Sequence, residues 1–326
     1  MNCFMKKCCK EVFLLKPFKV SNYQYFLQWF CEACEDSGFC TVKPFKIPWK
    51  VRLIIAKLCL SFRLPKFLCS KKKKIIVLGG GYPDSFAFPY AYNQEIIPVL
   101  WDTWPRYHKR LIKSFVRHKV KLAFFTQRQV AEFVHEKLPS VKCVWLPEGI
   151  NCDVYHRGDL LKNRNVDLLE LGRLMPRFHD AVVGGKFCHK FKDPKDGLLY
   201  ADFSALRQGL ADAKITVCFP RCDTHPEMAG NIETLTQRYW ECMLSRTVIL
   251  GRSPKELIDF IGYDPCIPVD WNNVNGQVQD IISDIQSNDK YQVIVDRNYQ
   301  TAKKMASWNS RMGLLEDNIR GILDDL

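Results

Sequence analysis

The sequence predicts an α/β protein made of two doubly wound domains and ending in a long helical tail. At 326 residues, the chain is longer than the roughly 250–300 residues that a single hydrophobic core usually covers. From residue 75 onward, short apolar runs alternate with helical segments, which is typical of parallel sheets. A polar stretch at residues 156–165 divides the runs into two series and indicates a linker. The predicted parts are a basic segment at 1–74, α/β domains at 75–160 and 161–290, and C-terminal helices at 291–326.

The first series contains four strand candidates, each a short apolar run. Ile75–Leu78 runs into three glycines, as expected where a buried strand opens into a loop. Thr103 and Thr126 are predicted to cap the helices that follow the second and third runs. The predicted strands span residues 75–78, 96–101, 121–125 and 141–146, and the predicted helices span 105–119 and 127–136.

The second series repeats this alternation with a longer polar loop. Its predicted strands span residues 166–171, 214–219, 247–250 and 266–269, its predicted helix spans 235–244, and the tail from 289 to 326 is predicted to be helical.

Composition excludes several classes of protein. With 47% hydrophobic and 25% charged residues, the chain is not mostly disordered. No run of about 18 apolar residues occurs, so a membrane-spanning helix is not expected. Fifteen cysteines without a secretory signal indicate reduced thiols in a cytoplasmic protein. Cys31, Cys34 and Cys40 resemble a metal half-site, but no second half completes four ligands, and no metal is predicted.

The positive charge is concentrated in the first quarter of the chain. Residues 1–75 carry +12 of the net charge of +13. Val51–Cys69 mixes apolar and basic residues without an acid, and four lysines follow at 71–74. The predicted helix at 105–119 is also basic and has no acid. This pattern favours an acidic partner, either a nucleic acid or an anionic membrane surface, although a merely solvated basic face would give the same pattern.

The stretch Lys214–Arg252 carries the clearest signal of a site. It comprises a strand, a polar loop, a helix and a second strand, and ligands of open α/β sheets bind beyond the carboxyl ends of strands. The N-terminus of such a helix suits phosphate. Glu233 is predicted at the helix start and Glu241 about 12 Å further along it. The two carboxylates could accept hydrogen bonds from hydroxyls at both ends of an elongated ligand, or could be a first-turn acid and a solvated helix residue.

These residues resemble a known family of enzymes. Glu233-x7-Glu241 is similar to the E-x7-E signature of group 1 (family 4-like) glycosyltransferases, and the segment ETLTQRYWECML resembles their CgeB-like branch. LELGRL at Leu169–Leu174 is similar to the family's G-R-L loop, and LPEGIN at Leu146–Asn151 to its PNGID segment. The similarity is best over residues 120–270.

The resemblance implies the GT-B fold, in which two Rossmann-like domains face a cleft. It also implies a hexosyltransferase-type reaction: a sugar moves from a nucleotide diphosphosugar, UDP- or GDP-linked, to an acceptor hydroxyl with retention at the anomeric carbon. Neither a cofactor nor a metal is expected, because no D-x-D pair occurs. Residues 161–290 would hold the donor and residues 75–160, with the basic segment, the acceptor. Surface polysaccharide or glycan synthesis is the implied pathway.

The resemblance assigns residues to both substrates. Glu233 would contact the donor sugar and Glu241 the ribose hydroxyls, while Arg173 would neutralise the diphosphate. Because Phe178 replaces the family's lysine, either Arg177 or Lys186 would supply the second cation. The remaining candidates are Thr234, Leu235, Thr236 and Arg238 for phosphate, His225 for sugar or phosphate, and Trp101 and Asp102 on the acceptor side.

Three of these candidates have alternative explanations. His225 could be a structural hydrogen-bonding residue, Arg238 could pack outward, and Trp101 could be a core residue. The partner would be a saccharide or lipid-linked saccharide acceptor, bound in the cytoplasm or at the inner face of the membrane. Two alternatives from other classes stay open: a nucleic-acid-binding protein that uses the basic quarter, and a nucleotide-sugar epimerase. No nucleic-acid-binding signature occurs, so the transferase is favoured.

Overall fold

Two parallel sheets, each flanked by helices, form the fold in the computed structural model of the chain. The structure describes residues 12–17, 25–43, 74–81, 94–192 and 199–324, with four isolated residues between 48 and 54. The chain divides into two compact units: unit 1 contains residues 1–147 and 308–326, and unit 2 contains residues 148–307. The predicted α/β class and its two doubly wound sheets are confirmed.

Unit 1 contains a six-stranded sheet in the order β2-β1-β3-β4-β5-β6, with every described pair parallel. Its central strands are apolar runs buried on both faces, as expected for a sheet covered by helices on both sides. The elements are β1 (Val12–Leu15), α1 (Tyr25–Asp36), β2 (Cys40–Val42), β3 (Lys74–Gly80), β4 (Glu95–Trp101), α2 (Pro105–His118), β5 (Leu122–Phe125), α3 (Arg128–Lys137) and β6 (Lys142–Trp145).

The predicted strands and helices of this unit are confirmed to within a few residues, but both predicted caps are wrong. Helix α2 begins after Trp104 and α3 after Gln127, and neither has a side-chain cap. Thr103 and Thr126 are buried, and their hydroxyls donate to Trp101 O and Leu100 O instead. The two threonines therefore bond to the end of β4 rather than starting the helices.

The last part of the chain returns to unit 1. Trp308 lies in a short 3₁₀ turn, and its ring packs edge-on against Phe30 at 5.1 Å and Trp101 at 6.0 Å. The final helix, α12 (Met312–Asp324), follows this turn. The helical tail is thus interrupted at Trp308, because this tryptophan is part of the aromatic core of the first sheet.

Unit 2 contains a five-stranded parallel sheet in the order β11-β10-β9-β7-β8. Its elements are β7 (Val166–Glu170), α4 (Pro176–Val182), β8 (His189–Lys190), α5 (Phe203–Ala211), β9 (Ala213–Cys218), α6 (Arg221–Thr224), α7 (Pro226–Ala229), α8 (Gln237–Leu244), β10 (Val248–Gly251), α9 (Lys255–Ile261), β11 (Cys266–Pro268), α10 (Val274–Ser287) and α11 (Lys290–Met305). Counted within the unit, the strand order is 2-1-3-4-5, so its direction reverses between β7 and β9.

The polar stretch at 156–165, predicted as a linker, packs within unit 2. Leu161 is buried in the core beneath α10. Arg164 is 5% exposed, and its guanidinium donates to Asp159 O and Ala213 O, which ties the stretch to the start of β9. The boundary between the units falls at Pro147 and Glu148, because the following polar residues satisfy their hydrogen bonds within unit 2.

The structure describes only some of the segments that are predicted to form basic surfaces. Val51–Cys69, apart from isolated residues, and the lysines at 71–73 lie outside the described residues. Lys74 belongs to β3, is 2% exposed and pairs with Glu95 at 3.4 Å, so it does not extend a basic surface. Helix α2 buries Leu111 and Phe115 and exposes Arg106, Lys109 and Lys113, whereas Arg110 and Arg117 are half-buried. Among the described residues, no helix has the length and apolarity needed to cross a membrane.

Candidate active site

The candidate site lies at the carboxyl edge of the unit 2 sheet. Open α/β sheets bind ligands where the strand order reverses, which here is between the ends of β7 and β9. The loop after β7 contains Arg173, and the segment after β9 contains α6, His225 and α7. Strand β10, the other neighbour of β9, ends at the same edge and is followed by Arg252. The topology therefore brings three separate segments of sequence to one edge.

A glycine fixes how closely β9 and β10 approach at this edge. Gly251 has a φ of +150°, and a Cβ added there would lie 1.9 Å from Cys218 O. The Arg252 N–H donates to the same oxygen at 3.0 Å. Only glycine permits this approach, and the Arg252 side chain is positioned by it.

Arg252 joins three segments around the site. Its Nε and Nη2 donate to the two Asp223 oxygens at 2.7 and 2.8 Å, and its Nη1 pairs with Glu233 Oε1. The hydrogen bonds to Asp223, and then those to Glu233, raise the pKa of Arg252, and burial opposes this rise only in part. The guanidinium is 41% exposed and stays charged. It holds α6, the Glu233 loop and the end of β10 together.

Glu233 does not start a helix, contrary to the prediction. Helix α8 begins at Gln237, and Glu233 lies in the loop before it. Its Oε2 accepts from the Lys255 N–H at 2.7 Å, in the first turn of α9. The carboxylate thus stabilises the N-terminus of α9 while its other oxygen pairs with Arg252, and its side chain remains 25% exposed.

Glu241 lies on α8 in a buried polar cluster, not as a solvated helix residue. The Tyr155 hydroxyl donates to Oε1 at 2.9 Å, and Arg238 Nη1 pairs with Oε2 at 2.8 Å. Burial, and then the Glu241 charge, raise the pKa of Tyr155 well above its usual value, so the phenol stays protonated and donates. The Glu241 side chain is 7% exposed, and each oxygen retains a second lone pair for a further donor.

The residues before α8 provide less to a phosphate than the sequence predicts. The Leu235 N–H donates to the buried Glu256 carboxylate, so it is not available to a ligand. Thr234 is 6% exposed. Thr236 is the N-cap residue of α8, and its side chain makes no capping hydrogen bond. The helix N-terminus that remains for an anion is therefore the first turn after Thr236.

Two nitrogen atoms in the segments that follow β9 are buried without a hydrogen-bond partner among the described residues. They are His225 Nδ1, between α6 and α7, and Gln237 Nε2, at the first position of α8. Buried polar atoms are normally paired, and each unpaired one needs an explanation. The two atoms are candidates for contacts to a bound ligand. His225 is among the site residues that the sequence predicts, and Gln237 is not.

The three predicted cations have different surroundings. Arg173 is exposed in the loop after β7, at the site edge, and makes no hydrogen bond or ion pair with the part of the chain that the structure describes. Arg177, in the first turn of α4, lies with its guanidinium carbon 4.4 Å from the Trp271 ring centroid. Lys186 is exposed in the turn that enters β8. Arg173 and Arg177 thus both follow the carboxyl end of β7, whereas Lys186 precedes β8.

The predicted acceptor residues belong to different environments. Trp101 is 4% exposed and packs against Phe30 and Trp308. Its ring therefore belongs to the core and is covered by these neighbours. Asp102 is exposed and adopts a φ of +49°, and its carbonyl accepts from the Trp104 N–H at 3.0 Å. The alternative explanation of Trp101 as a packing residue is the one that matches the contacts.

The sequence matches no family model and no curated protein, but its structure resembles solved glycosyltransferases. Sucrose-phosphate synthase from Thermosynechococcus elongatus has a TM-score of 0.61 and 11% identity, with 97% of this chain and 100% of that chain covered. Anabaena HepE in complex with UDP-glucose has a TM-score of 0.59 and 9% identity, with 97% and 100% covered. TarM has a TM-score of 0.54 and 12% identity, with 80% of this chain covered; the chain spans 57% of TarM. The fold is therefore GT-B.

Proposed function

We propose that the protein is a glycosyltransferase that moves a sugar from a nucleotide diphosphosugar to an acceptor hydroxyl. One observation carries the proposal: Glu233 and Glu241 follow the switch-point strand β9 of a GT-B unit, and each is held by a fixed cation or hydroxyl. The E-x7-E resemblance and the fold point to the same chemistry by separate routes. The CgeB-like branch and the hexosyltransferase type are parts of this proposal.

In the proposed complex, unit 2 binds the donor. Glu241 accepts hydrogen bonds from the ribose hydroxyls through its second lone pairs, because Tyr155 and Arg238 already fix the carboxylate. Glu233, held by Arg252, contacts the donor sugar. Arg173 and the first turn of α8 oppose the negative charge that develops on the departing nucleotide diphosphate, and fixed donors of this kind lower the barrier. His225 and Gln237 would complete the polar lining.

UDP is the nucleotide that we propose first. A solved neighbour, HepE, is a complex with UDP-glucose, and the fold is shared. We also propose that the reaction retains the anomeric configuration and needs no metal at the diphosphate, since Arg173 and the helix dipole supply positive charge there.

Nucleotide binding tests the proposal directly. Thermal unfolding is measured in excess EDTA, and the nucleotides compared are UDP, GDP, dTDP, ADP and CMP. One diphosphate should raise the melting temperature in a concentration-dependent way. Glu241→Gln should abolish the shift. Glu227→Gln, which changes an exposed acid on α7, is the matched control and should leave the shift unchanged. If no nucleotide raises the melting temperature, or if the Glu241→Gln variant still shows the increase, the proposed donor site is wrong.

We propose further that the basic face of α2 directs the enzyme to anionic lipid at the inner face of a cytoplasmic membrane, where a lipid-linked saccharide would be the acceptor. Basic residues near an anionic surface contribute about 1 kcal/mol each. Lys109→Glu with Lys113→Glu should release the protein from phosphatidylglycerol vesicles at about 0.1 M salt. Lys162→Glu with Lys304→Glu is the control for total charge. Equal binding of both double variants would refute the assignment to α2.

A further inference from the structure

A second polar cluster lies in unit 2, separate from the glutamates of the proposed donor site. Glu170 Oε1 is 2.7 Å from His179 Nδ1 and 2.9 Å from His189 Nε2. The three residues come from three successive elements: the end of β7, helix α4 and strand β8. Their ligand atoms all lie within 4.8 Å of one another.

The fold brings these side chains together on one face of the sheet. His189 is the register partner of Leu168, and Glu170 is two residues beyond Leu168, so the side chains of His189 and Glu170 point to the same side. Helix α4 connects β7 to β8 and places His179 over that side. The convergence therefore follows from the backbone and does not depend on one flexible side chain.

The cluster is well buried. The side chains of Glu170, His189 and His179 are 2%, 7% and 18% exposed. The Phe191 ring lies 4.6 Å from the ring of His179 and 4.7 Å from that of His189, centroid to centroid, and so adds an apolar neighbour. A carboxylate in such a place is costly unless its charge is compensated.

The hydrogen bonds within the cluster compensate this charge only in part. Both imidazoles face Oε1 of Glu170, and Oε2 is buried with no hydrogen-bond partner among the described residues. The carboxylate thus lies close to two ring nitrogens, and one of its oxygens still accepts no hydrogen bond from the described residues. A small cation bound between the three ligand atoms would supply the missing positive charge.

We propose that Glu170, His179 and His189 form a binding site for a divalent transition metal, with zinc preferred. Two imidazole nitrogens and one carboxylate oxygen are a common ligand set for zinc, with a fourth position taken by water or a substrate group. Tetrahedral ligands about 2.0–2.1 Å from zinc are roughly 3.3 Å apart. The two short distances therefore need to open by about 0.5 Å, which side-chain rotation provides.

In the zinc-bound state both histidines are neutral, with protons on His179 Nε2 and His189 Nδ1. The metal ties β7, α4 and β8 together at the base of the loop that contains Arg173. Zinc binding uses none of the residues assigned to nucleotide or sugar, so it can be measured whether or not the proposed transferase activity is found.

Metal binding to the full, untagged chain tests the proposal. The protein is stripped with EDTA and titrated with Zn²⁺ in competition with a chromophoric chelator, and metal content and melting temperature are measured. We expect one zinc ion whose affinity falls in His189→Ala and Glu170→Gln by more than the roughly 10–100-fold that loss of an outer-shell partner costs. His156→Ala, which changes an exposed histidine outside the cluster, should bind as the wild type does.

The fifteen cysteines are the main competing ligands, and cobalt distinguishes them. Co²⁺ at the proposed site should give the visible absorption of a four-coordinate ion without a near-ultraviolet thiolate charge-transfer band. If His189→Ala fails to fold, His179→Ala replaces it, since His179 is the more exposed histidine. Absence of zinc binding, survival of that binding in the cluster variants, or a thiolate band with Co²⁺ would overturn the proposal. The cluster would then be a hydrogen-bonded network only.

Discussion

Replacing Gly251 by alanine is the sharpest structural test of how the candidate site is built. An added Cβ would lie 1.9 Å from Cys218 O and 2.8 Å from the Cys218 carbonyl carbon, both backbone atoms of β9. No side-chain rotation relieves this contact. Because β9 and β10 are paired from Val248 to Gly251, the end of one strand must shift away from the other.

The cost has two parts. A φ of +150° belongs to a region that only glycine normally occupies, and alanine there costs on the order of 1–3 kcal/mol. Opening the contact to an ordinary separation also distorts backbone angles, and a distortion of about 15° at one angle costs roughly 4 kcal/mol. Relaxation shares this distortion among several residues, so we expect a total of about 3–5 kcal/mol. For a unit of this size, that corresponds to a fall in melting temperature of about 6–20 °C.

Gly262→Ala provides the matched control in the same unit. Gly262 also has a positive φ, +83°, but a Cβ there would meet nothing within 4 Å. The control therefore carries only the conformational cost of the left-handed region, about 1–2 kcal/mol. Thermal unfolding followed by circular dichroism compares the two. If Gly251→Ala melts no lower than Gly262→Ala, the close approach of β9 and β10 is not the constraint that we describe.

Three further changes have distinct expected outcomes in the same unfolding assays. Tyr155→Phe removes the hydroxyl that donates to Glu241 and should lower the free energy of unfolding by about 1.5–3 kcal/mol; no loss would mean that the pair is dispensable. Asp296→Asn should lower the free energy of unfolding by roughly 2–4 kcal/mol and Arg246→Met by roughly 1–2 kcal/mol. The first change leaves the buried Arg246 charge (6% exposed) unpaired and the second leaves the more exposed Asp296 charge (41%), so the reverse order would contradict this explanation. Burial lowers the pKa of His108 below 6.5, so the unfolded chain takes up this proton first and stability should fall as the pH drops below about 6.5. His108→Gln should make the melting temperature less sensitive to pH between about 7.5 and 5.5, and an unchanged pH dependence would refute this.

Apolar patterning predicted the sheets well because a strand buried on both faces must be apolar along its length. The runs at 75–78, 96–101 and 214–219 correspond to β3, β4 and β9 for this reason. The sequence-based prediction nevertheless missed β1, whose apolar run is only four residues long, and α10, in which apolar and polar residues are interspersed.

The site was harder to predict because its contacts join residues that are far apart in the sequence. Glu233 looked like the start of a helix, and its position is instead determined by Arg252 and the backbone of Lys255. Tyr155, which fixes Glu241, precedes it by 86 positions. Spacing along the chain indicates which residues share an element, but it contains no information on which distant cation or hydroxyl each will meet.

Unit 1 is interrupted in the sequence by the whole of unit 2, and this has a consequence for biosynthesis. Residues 148–307 leave the ribosome before Trp308 does, and at about 5–20 residues per second this takes roughly 10–30 s. Throughout that interval Phe30 and Trp101 lack the ring that completes their cluster. The second unit can therefore fold while the first still exposes aromatic surface, and a nascent chain stalled in this interval is the form that a chaperone would recognise.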